Sequence, residues 1–262
     1  MRLPLYQIDA FADRLFSGNP AAVVPLAEWL PEATMQAIAA ENNLAETAFF
    51  VREGTDYALR WFTPTVEVEL CGHATLASAY VIFRFLEPAR RSVRFRTVKS
   101  GVLGVTREGE SLALDFPALP AEPCRLPPEL ASALGAAPGE LHRRGERYLA
   151  VFARAEVVAG LAPDFAALRR QGHGDLIVSA PGGDGVDFVS RFFAPAYGID
   201  EDPVTGSAHC VLTPYWAKRL GKAILAARQV SRRGGTLTCR LLGERVAIAG
   251  RCVPYLEGSI TV

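Results

Sequence analysis

The sequence predicts an α/β protein of two pseudo-symmetric halves, each a curved, mostly antiparallel sheet wrapped around a central helix. The first observation is an internal repeat. Arg60-Trp61-Phe62-Thr63-Pro64 returns 131 positions later as Arg191-Phe192-Phe193-Ala194-Pro195, and Gly72-His73-Ala74-Thr75 returns 134 positions later as Gly206-Ser207-Ala208-His209. The first spacing is half of the 262-residue chain, and the second follows three inserted residues. The second is that each string passes from a strand-like run through a loop into an apolar, helix-like run. The third is that the order of strands and helices after residue 128 echoes the order before residue 117.

Taken in order, "LPLYQIDAFA" alternates enough for a strand, "SGNP" (Ser17 to Pro20) is a turn signal and "AAVVPL" reads as a second strand. Residues 31–41, "PEATMQAIAAE", suit a helix with Pro31 in its first turn. "TAFFVRE" and "YALRWFT" are two further strands. "GHATLASAYVIFRFL" is too long and alanine-rich for a strand and reads as a buried helix. "SVRFRTV", "GVLGVTREG" and "SLALDFP" make a meander separated by glycine turns.

"PALPAEPCRLPP" (117–128) is the densest proline patch and reads as the linker. The halves are therefore 1–118 and 119–262, with the final strand a candidate to cross back to the first half. After the linker come strands at "RYLAVFA" and "LIVSA", a helix near "PDFAALRRQ" and the strand "DFVSRFF". The helix "SAHCVLTPYWAKRLG" follows Gly206, and strands lie around "QVSRRGGTLTCRLLGERVAIAG".

Composition narrows the function classes. Half of the residues are hydrophobic, enough for a sizeable core, and no stretch approaches 18 consecutive apolar residues, so no membrane span is expected. Lys plus Arg equals Asp plus Glu at 28 each, which argues against nucleic acid as a partner and against a polybasic membrane anchor. The start, "MRLPLYQIDAFADRLF", carries acids where a signal peptide needs an apolar centre. Five scattered cysteines without a CxxC pair oppose a disulfide framework or a zinc ribbon. A cytoplasmic protein is expected.

The repeated joints carry the reactive residues. A helix that opens on glycine leaves unpaired backbone N–H groups at the positive end of its dipole, a ready place for an anion. Two such joints related by pseudo-twofold symmetry would build one cleft and hold a carboxylate or an enolate from both sides. Glu46, in "NNLAETAFF", is either a strand-edge carboxylate or one partly dried by Phe49 and Phe50 and able to carry a proton. His73 either packs or donates to a bound anion, with its basicity depressed by the helix start. Asp202 is a turn residue or a second acid opposite Glu46. Ser207 lacks the GxSxG surroundings of a nucleophile.

Cys71, at a helix start, has the place of a low-pKa thiol. The second repeat sets Pro203, Val204 and Thr205 where a partner thiol would stand, so a paired-thiol racemase fails on its second half. A metal site built from Cys71, His73, His209 and Cys210 has no familiar spacing. No metal and no cofactor are expected.

Together "QIDAFADRLFSGNPAAVV", "NLAETAFF", "RWFTPTVEVELCGHATLASA" and "DEDPVTGSA" resemble the phenazine-biosynthesis PhzF-like family of isomerases, in the right order over nearly the whole chain. The resemblance implies a diaminopimelate-epimerase-like fold, a homodimer, and cofactor-free movement of a proton between carbons of a small unsaturated carboxylic acid. It implies that Glu46 is the acid/base group and that His73 and Asp202 are polar partners in catalysis. Gly72, Gly206 and Ser207 are implied to hold the substrate carboxylate, with Asn19 near the substrate. Two alternatives stand beside this reading: a cofactor-independent amino-acid racemase or epimerase, and a protein that only binds a small acid or a partner.

Overall fold

The computed structural model describes residues 1–125, 127–171 and 174–262. Its chain forms two compact units, Met1–Phe116 with Ile248–Val262, and Pro117–Ala247.

In the first unit the hairpin of β1 (Arg2–Ala10) and β2 (Asn19–Leu26) is followed by α1 (Glu32–Asn42), β3 (Glu46–Glu53), β4 (Asp56–Phe62), the short β5 (Glu67–Val68) and α2 (Gly72–Val81). Strands β6 (Ser92–Thr97), β7 (Val102–Glu108) and β8 (Ser111–Pro117) close its meander. The second unit holds β9 (Glu122–Pro123), α3 (Pro128–Leu134), β10 (Glu140–Arg144), β11 (Arg147–Val151), α4 (Ala155–Gly160) and α5 (Phe165–Gln171). It continues with β12 (Leu176–Pro181), β13 (Phe188–Ala194), β14 (Ile199–Asp202), α6 (Gly206–Leu220), β15 (Ile224–Gln229) and β16 (Gly235–Leu242), and β17 (Arg245–Gly250) begins in this unit and ends in the first. The last strand, β18 (Cys252–Thr261), pairs antiparallel with β1 and belongs to the first unit.

Strand pairing repeats from unit to unit. β2 runs parallel to β3 as β11 does to β12, and β4 runs parallel to β6 as β13 does to β15. The remaining pairs of the repeat given in register are antiparallel. Trp61 lies opposite Val68, and its counterpart Phe192 lies opposite Asp202. The repeated arginines also match. Arg60 donates two hydrogen bonds to Glu67 at 2.7 Å, and Arg191 donates to Glu201 at 2.6 and 2.9 Å. Each guanidinium lies over the phenylalanine two residues on, at 5.2 Å for Phe62 and 4.9 Å for Phe193. Shared register, ion pair and ring contact go beyond what two unrelated strand–loop–helix joints would have in common.

In each unit the parallel strands meet helices on both faces, which explains their long apolar runs. In the first unit Phe49 and Val51 pack with α1, alongside Met35 and Ile38, while alternation turns Glu46 and Ala48 to the face that meets α2. All residues of α2 from Gly72 to Ala79 are buried, so its apolar character runs all round. In the second unit Leu176, Val178 and Ala180 pack with α3, α4 and α5. The intervening Ser179 turns to α6, accepts from Trp216 Nε1 at 2.9 Å and donates to the Val189 carbonyl.

Several sequence expectations need adjusting. Pro31 is the N-cap of α1 rather than a residue of its first turn. The α-helical part of α2 ends at Val81, and residues 82–86 continue as a π-helical turn in which Glu87 N–H donates to the Ile82 carbonyl. Segment 117–128 does not run free: Glu122 and Pro123 pair with Arg143 and His142, and Leu126 lies outside the described residues. Pro214 sits inside α6 without ending it. Having no N–H, it leaves the Cys210 carbonyl without its helical donor, and Leu119 N–H takes that carbonyl at 2.9 Å. Among the described residues no helix is long and apolar enough to cross a membrane.

Candidate active site

Five of the singled-out residues come together in the first unit. Gly18 sets the entry to β2 in the left-handed region (φ +69°), where a Cβ would lie 2.3 Å from the Ala10 carbonyl oxygen. Only glycine makes that turn, and it delivers Asn19 as the first residue of β2, fully buried. Glu46 opens β3 in parallel register with Ala21. Cys71 is the N-cap of α2, and Gly72 and His73 are its first residues.

His73 is the hub. Its Nε2 lies 3.1 Å from Glu46 Oε2, with the two side chains only 6% and 13% exposed. The Asn19 amide nitrogen sits 3.2 Å from Nδ1, and Cys71 Sγ lies 3.5 Å from the same nitrogen. An amide nitrogen can only donate, so in the neutral ring Nδ1 accepts and the proton resides on Nε2, on the side of Glu46. Glu46 Oε2 is buried and, among the described residues, has no aligned hydrogen-bond donor. The 3.1 Å approach is therefore a close charge contact rather than a directed hydrogen bond.

The electrostatics correct one expectation. A depressed basicity was expected for His73. Burial does oppose charge on the ring, but the Cys71 and Glu46 side chains favour it and prevail, holding the imidazole well above its usual range. Burial, helped by the Glu46 charge, pushes the Cys71 thiol up to about 11. That also corrects the low-pKa thiol expected of Cys71: desolvation outweighs its place at the helix start.

Asp202, Gly206 and Ser207 lie in the second unit. Asp202 ends β14, and its Oδ2 accepts from Thr205 Oγ1. Thr205 is the N-cap of α6, the place that Cys71 has on α2, and its side chain makes no cap bond to the helix. Gly206 and Ser207 form the first turn, where the Ser207 carbonyl accepts from Arg147 at 3.1 Å. Cys210, one helical turn on, is pushed up to about 12 by burial.

Two residues that sequence reasoning missed hold this joint. Buried Gln229, on β15, accepts from Thr205 N–H at 2.9 Å and donates to the Asp202 carbonyl at 2.8 Å. Its position 24 residues after Thr205 gives no local signal. The other is Thr205 itself, whose match to Cys71 in the aligned repeats was the available clue.

Residues 8–258 match the family described as phenazine biosynthesis-like protein. An uncharacterized isomerase of Pseudomonas aeruginosa is 52% identical over 260 residues, covering 99% of each chain. The crystal structure of a PhzF-family phenazine biosynthesis protein from Enterococcus faecalis superposes with a TM-score of 0.96 at 49% identity, covering all of both chains. At the level of fold alone, a hydroxyproline epimerase of Agrobacterium vitis superposes with a TM-score of 0.61 at 12% identity, covering 99% of this chain and 92% of that one. The architecture is thus of the diaminopimelate-epimerase type, and the chain belongs to the phenazine-biosynthesis-like, or PhzF-like, family of isomerases.

Proposed function

We propose that the reaction is a cofactor-free movement of a proton between carbons of a small unsaturated carboxylic acid, with Glu46 as the proton carrier. The observation that carries this reading is the buried Glu46 oxygen without an aligned donor, 3.1 Å from His73 Nε2. A carboxylate so placed is dry enough to act as a base and has an oxygen to offer a C–H group.

In this reading Glu46 removes a proton from a carbon acidified by the neighbouring unsaturated system. The C–H pair moves into the substrate as an enolate-like anion while an O–H bond forms on Glu46. That proton exchanges with solvent on the Glu46 carboxyl, and Glu46 then delivers a proton to another carbon while the double bond shifts. His73, 3.1 Å from Glu46, faces the developing charge. Gly72, Gly206 and Ser207, at helix starts without side-chain caps, are assigned to the substrate carboxylate, and Asp202 is assigned as a polar partner. Asn19 is assigned to holding the His73 ring rather than to direct contact with substrate. A racemase built on two thiols is disfavoured, because Thr205 takes the place in the second unit that Cys71 has in the first.

The test is a screen of small unsaturated acids and amino acids for deuterium uptake from D2O. Turnover should be lost by orders of magnitude in Glu46→Gln with the fold intact. Exchange at the wild-type rate in that variant would remove Glu46 from the reaction. Product analysis separates migration from epimerisation, since only migration changes bond positions.

A further inference from the structure

Around His73 the first unit gathers a donor set that proton transfer does not need. Glu46, Cys71 and His73 offer a carboxylate oxygen, a thiol sulfur and an imidazole nitrogen that all lie within 4.8 Å of one another. Cys71 Sγ is 4.0 Å from His73 Nε2, which is 3.1 Å from Glu46 Oε2. Ligands bound tetrahedrally to zinc at about 2.0–2.3 Å stand roughly 3.3–3.8 Å apart. Two of the spacings, 3.1 and 4.0 Å, bracket that range and the third lies within 4.8 Å, so shifts of about an ångström bring the three atoms onto one ion.

The chemistry of the set is selective. Sulfur, imidazole nitrogen and one carboxylate suit zinc and cobalt(II), whereas magnesium and calcium need oxygen ligands. A thiolate and a carboxylate neutralise a divalent ion, so the positive start of α2 does not oppose it. Independently of proximity, Glu46 Oε2 is a buried acceptor without a hydrogen bond, aimed into the cluster. Asn19 is placed as the outer contact that ligating histidines carry. With an ion on Nε2 the ring proton moves to Nδ1, and the Asn19 amide turns to present its oxygen.

We propose that Cys71, His73 and Glu46 form a three-ligand site for a zinc-class divalent ion, and that an ion bound there silences the isomerase by holding Glu46. On binding, the thiol proton leaves to solvent and a metal–sulfur bond replaces it. The silencing rests on the proton-carrier reading above. The ion site does not.

The experiment titrates cobalt(II) into chelator-treated, full-length protein and reads the near-ultraviolet sulfur-to-cobalt band. One equivalent should give the band, zinc should abolish it, and magnesium should leave it. Cys71→Ser and Cys71→Ala should both lose the band while retaining the wild-type circular dichroism spectrum. No band in the wild-type protein, or one that survives in both folded variants, overturns the site. In the deuterium-uptake assay, micromolar zinc should slow the wild-type protein at least tenfold, and Cys71→Ser should resist it. A cobalt band with unslowed turnover overturns the silencing alone. Failure of the Glu46 assignment would show separately, as persistent exchange in Glu46→Gln.

Discussion

Glu46 Oε2, at the start of a strand, meets His73 Nε2, at the start of a helix, at 3.1 Å. Two groups in such contact act as one unit. Replacing His73 by Gln should lower turnover by roughly 10²–10⁴-fold, the usual range for a group engaged in proton transfer. Glu46→Gln combined with His73→Gln should be no more than about threefold worse than Glu46→Gln alone, as for residues that serve a single step. Deuterium-uptake rates for the four proteins make the comparison. Losses that multiply would mean that the two residues act independently.

Gln229 makes a second prediction, on the other unit. Its side chain fills three needs at once, accepting from Thr205 N–H and donating to the Asp202 carbonyl and to Thr205 Oγ1. Gln229→Leu should cost about 2–4 kcal/mol, because it strands buried polar groups of the β14–α6 joint. Gln229→Glu keeps an acceptor for Thr205 N–H and loses the donor, so it should fall between. Urea unfolding measures the stability order. If the joint also holds substrate, KM should rise more than kcat falls in Gln229→Glu.

Gly18 makes the third. Its left-handed φ and the 2.3 Å approach of the Ala10 carbonyl to any added Cβ leave no relaxed place for a side chain. Gly18→Ala should destabilise the protein by at least about 2 kcal/mol through strain and displaced backbone. Since Asn19 follows directly, turnover should fall further than stability alone explains. A Tm within a degree of wild type would refute this account of the turn.

What was legible in the sequence was local or repeated. Arg60 and Arg191 announced the duplication because each sits in a recognisable strand–loop–helix string, and "SGNP" announced the turn that Gly18 makes. Missed were α3, β10 and α4, on the side of the second unit that departs from the first in sequence, and β5, β9 and β14, too short for a periodicity to show. Pro127, Pro128 and Gly135 were in fact signposts of α3, at its N-cap, first position and left-handed C-cap. The charge preference of His73 was misread for a different reason. A helix start lowers basicity locally, while Cys71, two positions away, and Glu46, 27 positions earlier in the chain, raise it, Glu46 through a contact that only the tertiary fold creates. Gln229 escaped for the same reason: its partners lie across the sheet and not along the sequence.

His209 supplies a pH prediction. Fully buried in α6, it donates from Nδ1 to the Thr205 carbonyl at 2.8 Å, and its Nε2 meets no hydrogen-bond partner among the described residues. Burial pushes its pKa down to about 4, only partly countered by the bond to Thr205. An unfolded histidine takes a proton near pH 6.5, so the unfolded state binds it first as the pH falls. The neutral ring's contribution to stability is therefore whole above about pH 6.5, declines between about 6.5 and 4, and is gone below, where both states are charged. Over that window the loss should approach about 3 kcal/mol, at roughly 1.4 kcal/mol per pH unit. Urea unfolding at pH 7.5, 5.5 and 4.5 should show that decline in the wild-type protein. In His209→Asn, which keeps a donor for Thr205 and cannot titrate, the decline should be shallower by this amount. Parallel curves for the two proteins would mean that His209 is already charged in the fold, and the solvent-free setting read for its Nε2 would be wrong.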